Sequence, residues 1–213
     1  MSAQAEMALH EQVAQGDSHE DQTRGIVGWF YRLYIQAASE YVERTGGRIL
    51  DIGSGEGMIF KDSSVRPVQI DISPTRLARA RRYNNLLVCA DAYALPFKDG
   101  AYDTVLMIAM LEHVSRPRAV LEEAFRVLKP AGHALVVVPN DVNLSLGRLL
   151  LRKWPPRYPD HLTFFTPGRL KTMIQQLFVA EYAAPMPFAK ITFWLNMYFF
   201  AILRKQRSGL VEV

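Results

Sequence analysis

Three aspartates in the first half of the chain each close an apolar run that is typical of a buried strand. Asp51 ends "RILD", Asp71 ends "VQID" and Asp91 ends "LLVCAD". In an open parallel sheet, ligands bind beyond the carboxyl ends of the strands, so these side chains should surround one site. A carboxylate can accept hydrogen bonds from both hydroxyls of a ribose, which makes Asp71 a candidate for nucleoside binding. The alternatives are a helix cap shared with Ser73 for Asp71, and an ordinary loop position for Asp91.

Glycines after the first strand indicate which nucleoside this site would hold. Gly53, Gly55 and Gly57 alternate in "DIGSGEG", where the missing Cβ lets the backbone turn tightly and approach a ligand. A dinucleotide fingerprint has its third glycine at the position of Met58 here. Glu56 also stands in this loop, and a carboxylate suits a cationic or zwitterionic ligand, such as S-adenosylmethionine, better than a diphosphate.

Two histidines are candidates for acid–base chemistry. His113 follows the predicted fourth strand in "LEHV", and His161 lies in "YPDHLTFF" beside Asp160. A histidine with a pKa near neutrality can take a proton from a hydroxyl group. The alternatives are an orienting or packing role for His113, and an exposed loop position or a bond to Asp160 for His161. No metal-binding cluster is evident in the sequence.

Alternating strands and helices would position these residues. The predicted strands are "RILDIG", "VQIDIS", "LLVCADA", "YDTVLMIAM" and "HALVVVPN", and the predicted helices cover residues 23–45, 73–84, 116–132 and 167–178. The strands are apolar throughout, which indicates a sheet covered on both faces. This order predicts a doubly wound α/β fold with parallel strands. The stretch between Gly57 and Val68 is too short for the usual crossover helix.

The pattern changes after residue 140, where an insertion at about 141–168 contains a short amphipathic helix and a proline-rich loop. We expect this insertion to form the pocket for a second substrate, with an anionic group meeting its basic residues. The candidate lining residues are Leu144, Leu146, Leu149, Leu150, Leu151, Trp154, Phe164 and Phe165, and the candidate basic residues are Arg148, Arg152 and Lys153. Residues 1–22 are predicted to be a flexible leader, and residues 23–213 a single domain in which helix 23–45 acts as a lid.

Bulk composition sets few limits. The 213 residues carry a net charge of +4, which selects no class of partner. The single Cys89 excludes an intramolecular disulfide, consistent with a reducing, cytoplasmic location.

Residues 188–203 are apolar but contain Lys190 and Asn196, and they are shorter than the roughly 20 residues of a spanning helix. We predict a buried helical turn and a last strand there, and peripheral membrane contact stays open.

A basic helix face argues weakly for nucleic acid. It consists of Arg76, Arg79, Arg81 and Arg82. Because no cluster of aromatic residues accompanies it, a solvated face is favoured over a nucleic-acid groove.

From about residue 49 to 140 the chain resembles the class I S-adenosylmethionine-dependent methyltransferases, in their small-molecule, type 11-like group. The resemblance rests on five collinear blocks, "LDIGSGEG", "IDIS", "ADAYALPFKDGAYDTV", "LEHV" and "EAFRVLKPAGHALVVVPN". It implies a Rossmann-like, mostly parallel seven-stranded sheet with an antiparallel last strand. The added strands are expected near residues 179–184 and 196–204.

The resemblance also implies roles for particular residues. Asp51 and the glycines would line the methionine end, Asp71 would bind the ribose, and Asp91 and Ala92 would border the adenine. The full set of predicted cofactor-binding residues is Asp51, Gly53, Ser54, Gly55, Gly57, Asp71, Ile72, Asp91, Ala92 and Ile108. The implied activity is methyl transfer from S-adenosylmethionine to oxygen, nitrogen or carbon of a small, partly apolar acceptor, with His161 and His113 as catalytic candidates. A nucleotide-dependent oxidoreductase and a non-catalytic cofactor-binding protein are the alternatives.

Overall fold

The structure is a computed structural model, and it describes residues 3–16, 25–186 and 196–206. The strands are β1 (Ile49–Ile52), β2 (Val68–Asp71), β3 (Leu87–Cys89), β4 (Tyr102–Ile108), β5 (Leu128–Pro139), β6 (Phe178–Met186) and β7 (Tyr198–Lys205). The helices are α1 (Ala3–Gly16), α2 (Gly25–Thr45), α3 (Pro74–Ala80), α4 (Pro117–Val127), α5 (Asp141–Leu150) and α6 (Pro167–Ile174). Two 3-10 turns cover Met58–Phe60 and Leu111–His113.

The seven strands form one sheet in the order β3-β2-β1-β4-β5-β7-β6. Strands β1 to β5 pair in parallel, and β7 is antiparallel to both β5 and β6. The predicted Rossmann-like sheet with an antiparallel last strand is therefore confirmed. The order reverses at β1, whose carboxyl end lies between those of β2 and β4, and such a reversal opens a crevice for a ligand.

The first crossover contains one 3-10 turn in place of a helix, and α2 covers the sheet face that this leaves. Tyr34, Ala38 and Val42 recur every fourth residue of α2, so they form one stripe along the helix. This stripe packs in one buried cluster with Phe60 of the 3-10 turn and with side chains of β1, β4 and β5. The shortened crossover is thus compatible with a sheet that is covered on both faces.

The predicted capping residues Ser73 and Thr166 mark the starts of two helices correctly. The hydroxyl oxygen of Ser73 accepts a hydrogen bond from the N–H of Arg76 at the start of α3 (3.2 Å), and Thr166 caps α6 in the same way. The predicted end of α4 is wrong, because the helix stops at Val127 and the strand β5 begins at Leu128. The proline and glycine expected to end the helix belong to the first residues of that strand.

The beginning of the described chain differs from the expectation. Helix α1 lies within the segment predicted to be a flexible leader, and its Ala14 is fully buried. The helical turn predicted near residues 188–195 lies outside the described residues, whereas the last strand is present as β7. Within the described residues, no helix has both the length and the apolar character needed to cross a membrane.

Candidate active site

A cavity of about 910 Å³ opens beyond the carboxyl ends of β1, β2 and β4. Its volume is at the upper end of the range for small-molecule sites. It is lined by nine of the ten residues predicted to bind a cofactor: Asp51, Gly53, Ser54, Gly55, Asp71, Ile72, Asp91, Ala92 and Ile108. The tenth, Gly57, does not line the cavity. A Cβ on Gly57 would lie 3.3 Å from the amide group of Gln69, so this glycine permits packing of the loop against β2.

The first two loop glycines adopt a backbone conformation that other residues rarely enter. Gly53 has φ of 67° and Gly55 has φ of 55°, both in the left-handed region. A Cβ on Gly53 would lie only 2.7 Å from the Cβ of Met110, which also borders the cavity. Gly53 therefore allows a close approach between the β1 loop and the residues after β4.

The Asp71 carboxylate organises the loop and also faces the cavity. Its Oδ2 accepts a hydrogen bond from the N–H of Gly55 (2.8 Å), and its Oδ1 accepts one from the N–H of Ser73 (2.9 Å). Burial raises the pKa of Asp71, and these two donors partly oppose that effect. A carboxylate has about four acceptor positions, so two remain for a ligand. The contact with Ser73 also supports the capping alternative, and the two roles are compatible.

Asp51 is the second buried carboxyl group at the cavity. Its side chain is 1 % exposed and accepts one hydrogen bond from the amide of Gln69 (3.1 Å). Burial raises the pKa of Asp51 to about 7, because the hydrogen bond from the side-chain amide of Gln69 only partly offsets the loss of hydration. A cationic ligand group next to this carboxyl would favour its ionised form.

Glu56 does not line the cavity, contrary to the expectation from its position in the loop. Its side chain is fully buried, at 2.8 Å from Arg79 and 3.7 Å from Arg82. The basic face of α3 is therefore partly an ion-pair partner of the glycine loop, rather than wholly a solvated surface. Arg76, one helical turn before Arg79, lines the cavity.

The candidate adenine region combines Asp91, Ala92 and Tyr93. Oδ1 of Asp91 accepts a hydrogen bond from the N–H of Tyr93 (2.8 Å), which forms a local turn after β3. All three residues line the cavity, whereas Leu95, four positions after Asp91, is buried in the core.

Helix α1 closes the cavity on this side, which the sequence did not reveal. Glu6 accepts hydrogen bonds from the hydroxyl of Tyr93 (2.9 Å) and the N–H of Ser115 (3.2 Å). Glu11 accepts hydrogen bonds from the hydroxyls of Ser73 and Thr75, at the start of α3. The helix is thus attached to three segments around the cavity: the loop after β3, the loop before α4 and the start of α3.

Three side chains capable of acid–base or metal chemistry meet at the border of the cavity, after β4 and in the insertion. One carboxylate oxygen of Glu112 and one ring nitrogen each of His113 and His161 lie within 4.8 Å of one another. The N–H of Thr163 donates to the carbonyl oxygen of Glu112 (2.9 Å), which ties the loop of His161 to the turn after β4. The predicted catalytic histidines are therefore neighbours in the structure.

His161 is held by Asp141, a residue that the sequence analysis did not single out. Nδ1 of His161 lies 2.7 Å from Oδ1 of Asp141, and Oδ2 of the same carboxylate accepts the N–H of Phe165 (2.6 Å). Burial lowers the pKa of His161, but the bond to Asp141 and the nearby Glu112 outweigh burial and leave the pKa raised. Asp141 lies two residues after the end of β5, so a criterion that included the first residues beyond each strand could have found it.

His113 and Glu112 are both shifted toward their neutral forms. Burial lowers the pKa of His113 to about 4, although Asp160 opposes the shift. Nδ1 of His113 donates to the backbone carbonyl of Asp160 (3.1 Å). Burial also raises the pKa of Glu112 to about 8, with the neighbouring His161 opposing it.

The insertion contributes fewer cavity residues than expected. Of the predicted apolar set, Leu144 and Leu151 line the cavity, and Arg148, Lys153 and Tyr158 join them. The outcome differs for several other residues: Leu146, Leu149, Leu150 and Trp154 are exposed, Arg152 and Phe164 do not line the cavity, and Phe165 is fully buried in the core. The prediction failed for these residues because apolar character alone does not tell which side of a short helix or loop faces a pocket.

The sequence matches one protein-family profile and is similar to several known proteins. A family profile described as "Methyltransferase domain" matches residues 50–136. An uncharacterized protein of Methanocaldococcus jannaschii is 32% identical over 148 residues, which cover 69% of this chain and 70% of that protein. A ubiquinone/menaquinone biosynthesis C-methyltransferase of Ruegeria sp. is 30% identical over 129 residues, covering 52% of each chain. A demethylmenaquinone methyltransferase of Renibacterium salmoninarum is 33% identical over 96 residues, covering 43% of this chain.

The matched residues span only 52% of the Ruegeria enzyme and 40% of the Renibacterium enzyme. Among solved structures, a Thermotoga maritima protein named "SAM-dependent methyltransferase, possible histamine N-methyltransferase" has a TM-score of 0.73 at 20% identity. The match covers 94% of this chain and all of that one. The [4+2]-cyclase SpnF has a TM-score of 0.62, also at 20% identity, over 81% of this chain and 79% of its own. At these identities the likeness concerns the fold.

Proposed function

Because the chain belongs to the class I S-adenosylmethionine-dependent methyltransferases, we propose that it moves a methyl group from S-adenosylmethionine to a small, partly apolar acceptor. Members of this family generally use that cofactor. The observation that carries the proposal is that one cavity is bordered both by the glycine loop with Asp71 and by the histidine cluster. A cofactor and an acceptor could therefore meet in it. Family membership disfavours the oxidoreductase and the non-catalytic alternatives.

The cavity residues fit the cofactor by their chemistry. Gly53 and Gly55 hold the loop in left-handed backbone conformations beside the cavity, and the hydroxyl oxygen of Ser54 is buried without a hydrogen-bond partner among the described residues. Such a group is costly to bury, so a ligand that bonds to it is favoured. In this proposal Asp51 binds the ammonium group of the cofactor and Asp71 binds its ribose. Asp91, Ala92 and Ile108 border the adenine, together with Ile72.

For methyl transfer the protein mainly has to align the acceptor with the methyl group of the cofactor and to exclude water. When bound, S-adenosylmethionine supplies an electrophilic methyl group, so no strong nucleophile from the protein is required. We propose that His161 and His113 contact the acceptor, because both border the cavity next to Glu112. Asp141 fixes the ring of His161 through Nδ1, which leaves Nε2 to take a proton from a hydroxyl acceptor.

The proposed acceptor pocket lies between the insertion and α2. Tyr31, Tyr34, Tyr158 and Tyr198 give it aromatic walls, and Arg148 lies over the ring of Tyr158 at 4.3 Å. Two of the relatives are named as quinone-pathway methyltransferases, which supports an aromatic, partly apolar acceptor. We further propose residues 23–213 as a single domain, with the insertion at about 141–168 supplying the acceptor side.

A binding experiment tests the cofactor assignment. Calorimetric titration of the purified protein with S-adenosylmethionine and with S-adenosylhomocysteine is expected to show micromolar binding of both, and no binding of NAD. A screen of hydroxylated aromatic acceptors with labelled S-adenosylmethionine then follows transfer directly. Binding of NAD alone would overturn the proposal.

The pH dependence of cofactor binding is a second test. Since burial raises the pKa of Asp51 to about 7, this carboxyl is mostly neutral at pH 6 and mostly ionised at pH 8. The ionised form attracts the ammonium group, so affinity should rise by about tenfold from pH 6 to 7.5, which calorimetry at each pH would measure. Asp51→Asn should bind more weakly and lose this dependence. An equally steep dependence in Asp51→Asn would assign it to another group.

A further inference from the structure

We infer that Glu112, His113 and His161 form a binding site for one divalent transition-metal ion. Two imidazole nitrogens and one carboxylate oxygen are a donor set that binds Zn²⁺ in enzymes and Fe²⁺ in non-haem sites. Imidazole donors favour such ions over Mg²⁺ and Ca²⁺, which prefer oxygen ligands. One carboxylate oxygen of Glu112 and one ring nitrogen of each histidine already lie within 4.8 Å of one another. A tetrahedral ion with bonds of about 2.0–2.1 Å needs ligand atoms about 3.4 Å apart, which small side-chain rotations can provide.

The hydrogen bonds around the cluster match those of metal-binding histidines. Such histidines usually donate their second ring N–H to a carboxylate or a backbone carbonyl, which orients the ring. Here Nδ1 of His161 donates to Asp141 and Nδ1 of His113 donates to the carbonyl of Asp160. In both rings Nε2 is then the nitrogen that has a lone pair for an ion. Two rings oriented in this way beside one carboxylate are more specific than an acidic cluster.

Glu112 supplies an independent observation. Its side chain is 2 % exposed, and its Oε2 atom has no hydrogen-bond partner among the described residues, although the residue lines the cavity. A buried carboxylate oxygen without a donor is unfavourable, and a bound cation would satisfy it. The backbone of Glu112 is meanwhile fixed by the N–H of Thr163. The carboxylate is thus held on the same side of the cavity as the two rings.

The ion would give the acceptor a defined position. Three protein ligands leave a coordination position for a substrate oxygen, as in catalytic zinc sites. This consequence rests on the proposed function, whereas binding of the ion does not. Nε2 of His161 cannot bind an ion and take a proton at the same time. With the ion bound, His161 is therefore a ligand, and the cation holds the acceptor oxygen and lowers its pKa.

Metal-stripped protein provides the test. Calorimetric titration with Zn²⁺ is expected to show one equivalent bound with micromolar or tighter affinity, and Mg²⁺ should bind at least about 100-fold more weakly. Titration with Co²⁺ should give the visible absorption bands of a four- or five-coordinate ion. Glu112→Gln and His161→Gln should each lower Zn²⁺ affinity at least tenfold, and Asp141→Asn by about 10–100-fold through loss of ring orientation.

His133→Gln is the matched control, because His133 also pairs with a carboxylate, Glu181 at 3.1 Å, but lies in the middle of β5 and does not line the cavity. It should leave Zn²⁺ binding unchanged. Titration of every variant with S-adenosylhomocysteine checks that the cofactor half is folded. Failure of wild type to bind one equivalent, or unchanged affinity in Glu112→Gln and His161→Gln, would overturn the site. If wild type bound Zn²⁺ but did not bind S-adenosylhomocysteine, the result would instead contradict the proposed function.

Discussion

Asp71→Ala is expected to weaken S-adenosylmethionine binding by about 100-fold. Two of the acceptor positions of this carboxylate are used by backbone N–H groups, and the other two would face both ribose hydroxyls. A hydrogen bond to a charged group contributes about 1.5–3 kcal/mol, so loss of two corresponds to at least about 3 kcal/mol, or about 100-fold in affinity. Calorimetric titration of wild type and variant would measure the change directly.

Two further variants separate the ribose contact from damage to the loop. Asp71→Asn keeps an acceptor for one backbone N–H but loses the charge, so its affinity should lie between wild type and Asp71→Ala. Asp99→Ala removes an aspartate whose side chain is 81% exposed and which pairs with Arg126, so binding should not change. Affinity of Asp71→Ala within threefold of wild type would show that Asp71 only caps α3.

The parallel sheet could be predicted because its signals are local. Continuous apolar runs predict strands, and a hydroxyl residue followed by proline predicts a helix start, as at Ser73 and Thr166. The same reasoning placed Asp51, Asp71, Asp91 and the glycine loop at one edge of the sheet, since the carboxyl ends of parallel strands meet there, and the family resemblance supplied the other cofactor candidates that line the cavity. These inferences need no knowledge of distant contacts.

The errors concern residues whose role depends on distant partners. Glu56 was interpreted as facing a ligand, but its buried carboxylate pairs with Arg79 on α3 and with Arg82 just after that helix. Helix α1 looked like a polar leader, although Glu6 reaches a tyrosine 87 positions away. Polar residues predict a surface only when no buried partner exists, and a single sequence does not reveal partners so far apart.

The site around His161 was predicted in part for the same reason. The histidine was selected for its chemistry, but Asp141, which orients it, is 20 residues away across an irregular insertion. The path of that insertion follows from tertiary bonds, such as the one between Thr163 and Glu112, and not from periodicity. The position of Phe165 in the core, instead of in the pocket, has the same origin.

Gly53→Ala is expected to destabilise the protein and to abolish micromolar cofactor binding. A Cβ at this position would lie 2.7 Å from the Cβ of Met110, and φ of 67° is unfavourable for alanine. The left-handed conformation costs about 1–2 kcal/mol and the overpacking about 1–3 kcal/mol, so the free energy of unfolding should fall by about 2–5 kcal/mol. Urea denaturation would measure this loss.

Gly168→Ala is the matched control for that substitution. A Cβ on Gly168 would meet nothing within 4 Å, and the residue lies in the first turn of α6. Alanine in a helix is favoured over glycine by about 0.5–1 kcal/mol, so this variant should be as stable as wild type or slightly more stable. If both variants unfolded at the wild-type urea concentration, the close contact between the glycine loop and Met110 would be absent in solution. The shape of the cavity would then have to depend on other contacts. In the structure, the contact between Gly53 and Met110 brings the β1 loop close to the residues after β4.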